Sequence, residues 1–301
     1  MNFMQILTMP KREEKSPEWY SRRRKGIGGS DSAAVLGVSK WRTPYQVWED
    51  KTGRAVKEEP NAAMRAGTTL EESIRKMYSN ETGRTVYDPG FAVDSEYPFI
   101  IGDVDGLCDD RIIEIKNCRR EWDEIPTEYY FQVQHYMRLF DKPFADLAVL
   151  FSGQDFRIFT IERQPELWDS ILPIYKHFWE CVETDTPPEL ETLEDVNKAF
   201  RISKDSSIVL DATAIDNLQR IKTLKETIAN LQTQLSDYEF EVKSQLGENA
   251  VGTDASGKTL VTWRTSKSRE TFDTKQFKED CPAIYNLYLR TGNASRTFLI
   301  K

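Results

Sequence analysis

The chain has 301 residues, of which 39% are hydrophobic and 30% charged, with a formal net charge of −8. That is enough apolar material for a sizeable core in one large domain or two, and no run of about 18 apolar residues offers a membrane span. The acidic balance argues against a generic DNA-coating protein. The four cysteines, Cys108, Cys118, Cys181 and Cys281, have neither CxxC nor zinc spacing, disulfides are not expected in a reducing compartment, and Cys108 and Cys118 read as small core residues.

Residues 1–10 have no basic n-region and are too short for a signal peptide, which makes the cytoplasm the expected location. The first ordered signal is Trp19-Tyr20-Ser21-Arg22-Arg23-Arg24-Lys25, followed by Gly26-Ile27-Gly28-Gly29-Ser30-Asp31 and a short apolar run. Glycines ahead of Ser-Asp describe a tight loop opening a helix, with Ser30 or Asp31 as N-cap. Backbone N–H groups at such a start favour an anion. Arg24 and Ser30 are the best side chains for a phosphate pocket there, and an ordinary capped helix beside a solvated basic run is the alternative. Thr43-Pro44-Tyr45-Gln46 supplies a cap, a proline at the first helical position and a capping box. Trp41, Tyr45 and Trp48 read as core residues, with DNA stacking as the alternative. A long helix is predicted over 61–82, ending at Gly83, with Leu70, Ile74, Met77 and Tyr78 at helical spacing. Glu71 and Glu72 follow Leu70; by position both are surface acids, and either could be a third carboxylate for a nearby centre.

Short strands are predicted within 85–94 and 99–116. The central stretch is 102–116, where Gly102 to Asp110 supply turn chemistry and Ile112 to Lys116 run out as a strand. Alternation places Glu114 and Lys116 on one face and Ile113 and Ile115 on the other. Charges beside an apolar wall are costly unless they are paired or bind something. With Asp105 on the preceding turn, two carboxylates and one ammonium gather at one point, the outline of a metal-dependent phosphodiesterase centre. A solvated edge face of an antiparallel strand is the alternative. A helix follows over 126–140, with Gln132 and Tyr136 four apart on one face and His135 read as packed or solvated. Strands over 145–152 and 156–162 and a helix over 165–183 complete a mixed sheet flanked by helices, an α/β (α+β) architecture.

After Thr186-Pro187-Pro188 and a polar stretch to 207, residues 211–246 read as one helix. Ile221, Leu224, Ile228, Leu231, Leu235, Tyr238 and Val242 repeat at coiled-coil spacing along it. The tail, 248–301, carries nine basic against six acidic side chains and reads as strands at 259–265 and 295–300 around a helix at 274–289. The expected organisation is therefore an N-terminal segment 1–15, a main domain 16–207, the long helix 208–247 and a small basic β/α module 248–301.

At this point the set Arg24…Gly26-Ile27-Gly28-Gly29-Ser30-Asp31, Gly67-x-x-Leu70-Glu71, Asp103-x-Asp105-Gly106-Leu107, Ile113-Glu114-Ile115-Lys116 and Gln132-Val133-Gln134-His135-Tyr136 resembles the YqaJ-like viral recombinase family. That family is similar to phage lambda exonuclease, within the PD-(D/E)XK nuclease superfamily with its restriction-endonuclease-like core. The likeness covers about residues 16–185. It implies a metal-dependent 5′→3′ exonuclease that digests one strand of linear double-stranded DNA and leaves 3′ single-stranded tails for phage-type recombination. By motif matching, Asp105, Glu114, Glu71 and the Ile115 carbonyl would hold Mg²⁺ (or Mn²⁺), two ions per site. Lys116 would handle the attacking water, Gln132 would support the site, and Arg24 and Ser30 would take the 5′ phosphate. The loop is one residue shorter than in lambda exonuclease. Val104 replaces the superfamily's proline, and Asp103 is a rival for the role of Asp105. The resemblance also implies a single-strand annealing protein as partner and a homo-oligomer, with a ring as one form. An endonuclease of the same superfamily and a non-catalytic DNA- or partner-binding module are the alternative functions.

Overall fold

Residues 111–118 form the strand that their alternation predicts, and the layers of the first half of the chain are built on its two faces. A computed structural model describes residues 5–7, 16–55, 61–290, 292 and 295–301. The chain divides into two compact units, with the boundary between Ala199 and Phe200. Of the expected N-terminal segment, only β1, Gln5–Leu7, lies within the described residues.

In the first unit, helices α1 (Pro17–Arg23), α2 (Gly29–Val35), α3 (Pro44–Lys51) and α4 (Ala62–Thr82) precede four strands. These are β2 (Phe91–Val93), β3 (Ile101–Gly102), β4 (Gly106–Leu107) and β5 (Arg111–Cys118). Helix α5 (Thr127–Leu139), strands β6 (Phe144–Phe151) and β7 (Asp155–Glu162), and helices α6 (Leu167–Glu183) and α7 (Leu193–Ala199) follow. The main sheet runs β4-β5-β6-β7, with β5 and β6 parallel and the outer pairings antiparallel. A separate small sheet has the order β1-β2-β3. The mixed sheet flanked by helices is the architecture expected from the sequence.

Each face of β5 meets a different helix. Ile113 and Ile115 pack with Ile74 and Tyr78 of α4 and with Ala148 and Leu150 of β6. Ile112 belongs to the larger core, with Val133, Tyr136 and Met137 of α5 and with Ile171, Tyr175 and Phe178 of α6. Each such buried side chain contributes roughly 1.5–3 kcal/mol. His135 lies in this core, 1% exposed, with Nε2 2.9 Å from the Ile101 carbonyl and Nδ1 3.0 Å from the Tyr175 hydroxyl. A carbonyl can only accept, so Nε2 carries the proton, and Nδ1 faces the Tyr175 hydroxyl, which donates to Ser32 Oγ at 2.7 Å. Burial pulls the His135 pKa down to about 4.

Helix α2 begins differently from the sequence reading. It starts at Gly29, with Gly28 in the cap position, and the Asp31 carboxylate reaches back to accept the Gly28 N–H at 3.1 Å. Gly29 is there for close packing: a Cβ on it would stand 2.5 Å from the Tyr136 ring, and one on Gly102 would stand 2.7 Å from the same ring. Tyr45 and Trp48 are buried as expected, but Trp41 is 61% exposed because its loop lies over the first turn of α5 rather than over the core.

In the second unit, α8 (Ala212–Leu246) is capped by Asp211, whose carboxylate accepts the Ala214 N–H, and it stops at Gly247. Leu224, Ile228, Leu231, Leu235, Tyr238 and Val242 are exposed along it, and Leu246 is buried. Strands β8 (Val251–Thr253) and β9 (Thr259–Thr262) form a hairpin. The strand expected at 295–300 is absent, and the expected helix at 274–289 is two helices, α9 (Thr274–Asp280) and α10 (Pro282–Tyr288). Pro282 has no N–H to continue α9 but suits the first position of α10.

Candidate active site

The site lies where β4 stops and leaves the edge of β5 open. The β4–β5 register pairs Gly106 with Ile113 and Leu107 with Ile112, and no pair follows beyond them. Asp105, one residue before β4, turns its side chain onto β5, where Oδ2 accepts the Ile115 N–H at 2.7 Å. In an extended strand the N–H and C=O of one residue point to the same side. The Ile115 carbonyl therefore faces Asp105.

On the α5 side of β5, three side chains close a triangle. The Lys116 ammonium donates to Glu114 Oε1 at 2.8 Å and to Gln132 Oε1 at 3.2 Å. Gln132 Nε2 donates to Glu114 Oε1 at 2.7 Å. A carboxamide is the group that can accept from an ammonium and donate to a carboxylate at once, which is why glutamine fits this position and glutamate does not. Glu114 is 4% exposed and Gln132 7% exposed. The Tyr129 ring covers the ammonium at 4.7 Å.

From α4, Arg75 donates to Glu71 at 2.9 Å and to the Asp105 carbonyl at 2.6 Å, which ties Glu71 to the Asp105 turn. Burial raises the Asp105 pKa, and Glu114 and Glu71 raise it further against the opposing pull of Lys116. Burial also raises Glu114, which Lys116 only partly offsets while Asp103 and Glu71 add to it. For Lys116, burial lowers the pKa, but Glu114 and Asp105 more than reverse this and hold it as ammonium. Negative charge is therefore crowded and under-compensated at this point, a setting in which a cation is favoured.

The structure thus brings Glu71, Asp105, Glu114, Lys116, Gln132 and the Ile115 backbone together. It does not bring Arg24 and Ser30 together. Ser30 Oγ accepts instead from Arg23 Nη2 at 2.7 Å, and Arg23 also pairs with Asp103 at 3.6 Å and lies 4.7 Å over Trp19. Arg24 is exposed, and its Nη1 would stand 3.8 Å from a Cβ on Gly53, past the end of α3. Successive residues of a helix are turned by about a quarter of its circumference, so only one of the two arginines at the end of α1 can face α2. Sequence reading had four adjacent cations and no means of phasing them. Asp103 is also held by Trp19 Nε1 at 3.4 Å, whereas Asp105 is the acid on β5.

Under this loop, Asp31 is 1% exposed and accepts from Lys51 at 2.6 Å and from Arg42 at 3.2 Å. Burial pushes its carboxyl up, and Lys51, Arg23 and Arg42 together overcome this and hold it well below the usual carboxylate range. Lys51 Nζ also donates to the Arg23 carbonyl at 3.0 Å, so the buried pair fixes the end of α1 against the start of α2.

Among the described residues, no three His, Cys, Asp or Glu side chains form a ready-made metal cage. Mg²⁺ does not need one, since it is usually bound through one or two carboxylates with waters and substrate oxygens completing its shell. Asp105, Glu114 and the Ile115 carbonyl, all hard oxygen donors, fit that requirement.

The model of the YqaJ-like viral recombinase domain matches residues 18–142. The YqaJ protein of Bacillus subtilis (strain 168) is 32% identical over 291 residues, which cover 91% of this chain and 90% of that one. Among solved structures, the alkaline exonuclease LHK-Exo from Laribacter hongkongensis is similar at 26% identity, over 57% of this chain and 94% of that one, with a TM-score of 0.49. With a relative of that identity aligned over nearly its whole length and the domain matched across the loop, α4, β5 and α5, the chain belongs to the YqaJ-like viral recombinase family.

Proposed function

We propose that the protein is a metal-dependent exonuclease that degrades one strand of linear double-stranded DNA from its 5′ end and leaves 3′ single-stranded tails for recombination. The observation that carries this reading is the convergence of Asp105, Glu114, Lys116 and Gln132 at the open edge of β5, with Glu71 tied to the same turn through Arg75. Mg²⁺, with Mn²⁺ as a substitute and two ions as the full complement, would supply charge neutralisation at the scissile phosphate and an acidified water. Asp105, Glu114, Glu71 and the Ile115 carbonyl are the groups that would hold it.

The chain's own residues then have separable tasks. The Ile115 N–H fixes the Asp105 carboxylate against β5. Gln132 holds Glu114 Oε1 and Lys116 Nζ in one plane of hydrogen bonds. Lys116 Nζ, an ammonium in this arrangement, is placed to orient a water and to share its proton once the local negative charge is neutralised. Arg23 and Ser30, with Arg24 outside their contact, are the pair suited to a terminal phosphate. The same reading gives linear duplex DNA with a 5′ phosphate as substrate, a single-strand annealing protein as partner, and a homo-oligomer, a ring among its forms.

The test is digestion of 5′-phosphorylated linear duplex with Mg²⁺ by the wild type, Glu114→Ala and Lys116→Ala. The expected result is loss of at least about a hundredfold in rate for each variant, the scale on which removing one preorganised electrostatic group slows an enzyme. Equal activity in all three proteins, or none in any, contradicts the reading.

A further inference from the structure

Trp41 is the outermost ring of an aromatic ladder that starts in the core and passes the candidate active site. Its ring lies 5.5 Å from Tyr129. Tyr129 is 5.2 Å from Trp122, which packs in turn on Phe151 and Phe159. The face of Tyr129 also meets the Lys116 ammonium. The inner rings are buried or half-buried, yet Trp41 is 61% exposed.

The loop that carries Trp41 is pinned in place. The Lys40 N–H donates to Glu128 Oε1 at 2.8 Å, and Glu128 is itself 8% exposed on α5. Ser39 Oγ accepts the N–H groups of Trp41 at 3.1 Å and Arg42 at 3.4 Å. An indole left in water gives up most of the free energy that burying its large surface would provide. Here the backbone holds it outward beside the acid–lysine centre, next to Lys40, while the neighbouring Arg42 is turned onto Asp31. Every nucleobase has a π face, and stacking on an exposed aromatic ring binds bases without regard to sequence.

We propose that Trp41 is a base-stacking residue: its ring takes a nucleobase of the strand whose phosphodiester lies at the Asp105–Glu114–Lys116 centre. The ligand class is an unpaired or fraying nucleotide at a DNA end. The inference rests on the nuclease reading and adds to it a contact to the base, where the acids, the lysine and the arginines address only phosphate. Trp41 is a binding residue in this account and takes no part in bond cleavage.

The experiment compares full-length wild type, Trp41→Ala and Trp41→Phe on 5′-phosphorylated linear duplex. Affinity is read in EDTA and KM and kcat in Mg²⁺, and the same duplex is also prepared with an abasic residue at each terminal position in turn. The expected result is a Trp41→Ala protein whose Kd and KM rise about tenfold with kcat little changed, the scale of one lost stacking contact. Trp41→Phe should recover most of that loss. At one terminal position, removing the base should weaken the wild type to the level of Trp41→Ala and leave Trp41→Ala unaffected. If the wild type digests DNA and Trp41→Ala matches it in Kd and KM, or if abasic DNA weakens both proteins equally at every position, the stacking inference is overturned and the nuclease reading stands. If no protein binds or digests DNA, the nuclease reading falls and this inference falls with it.

Discussion

At the scale of single residues, the sharpest feature is that burial raises the pKa of both Asp105 and Glu114, with Glu71 adding to it. Burial and mutual repulsion both favour the neutral carboxyl, so an isosteric neutral side chain should relieve the metal-free protein. Asp105→Asn keeps an oxygen for the Ile115 N–H. It should raise the stability of the metal-free protein while abolishing cleavage. The urea midpoint in EDTA checks the first part, and a lower midpoint than the wild type would contradict it. The geometry of this centre was largely legible in the sequence, because strand alternation alone puts Glu114 and Lys116 on one face of β5. Two neighbouring facts were not legible. The choice of Arg23 over Arg24 as the partner of Ser30 depends on where α1 stops turning. The exposure of Trp41 depends on its loop being held by Glu128, 88 residues further on.

At the scale of elements, the junction of α2 with α5 positions the loop beside the site. Gly29 and Gly102 leave room for the Tyr136 ring, and Asp31 with Lys51 and Arg42 fastens the start of α2 beneath. Gly29→Ala would drive a methyl into that ring, and overpacking of this kind costs about 1–3 kcal/mol. Chemical denaturation should show that loss in full, and an unchanged midpoint would show that the two helices do not meet as described. Sequence reading took the glycines of this loop chiefly as backbone donors for an anion. The close approach of a tyrosine more than a hundred residues away has no local signal. The tail shows the same limit: the single helix expected over 274–289 is split at Pro282, and the expected last strand has no partner to pair with among the described residues.

At the scale of the whole molecule, the first unit is assembled around a core in which a histidine is kept neutral. His135 has its pKa drawn from 6.5 to about 4 by burial. Between those values the unfolded chain takes up a proton that the folded chain refuses, so stability falls as the pH is lowered through this window. The loss builds to about 3 kcal/mol near pH 4, and His135→Gln should lack it. Unfolding free energies measured across this range check the point, and identical slopes for the two proteins would contradict it. The mixed sheet with its flanking helices followed from element order and periodicity. What the molecule does to DNA is tested by offering the wild type, with Mg²⁺, equal amounts of covalently closed circular duplex and the same duplex linearised. The linear strands should carry distinguishable labels at their 5′ and 3′ ends. The closed circle should stay intact while the linear form releases its 5′ label first and accumulates 3′ single-stranded tails. Cutting of the closed circle, or release of the 3′ label first, would contradict it.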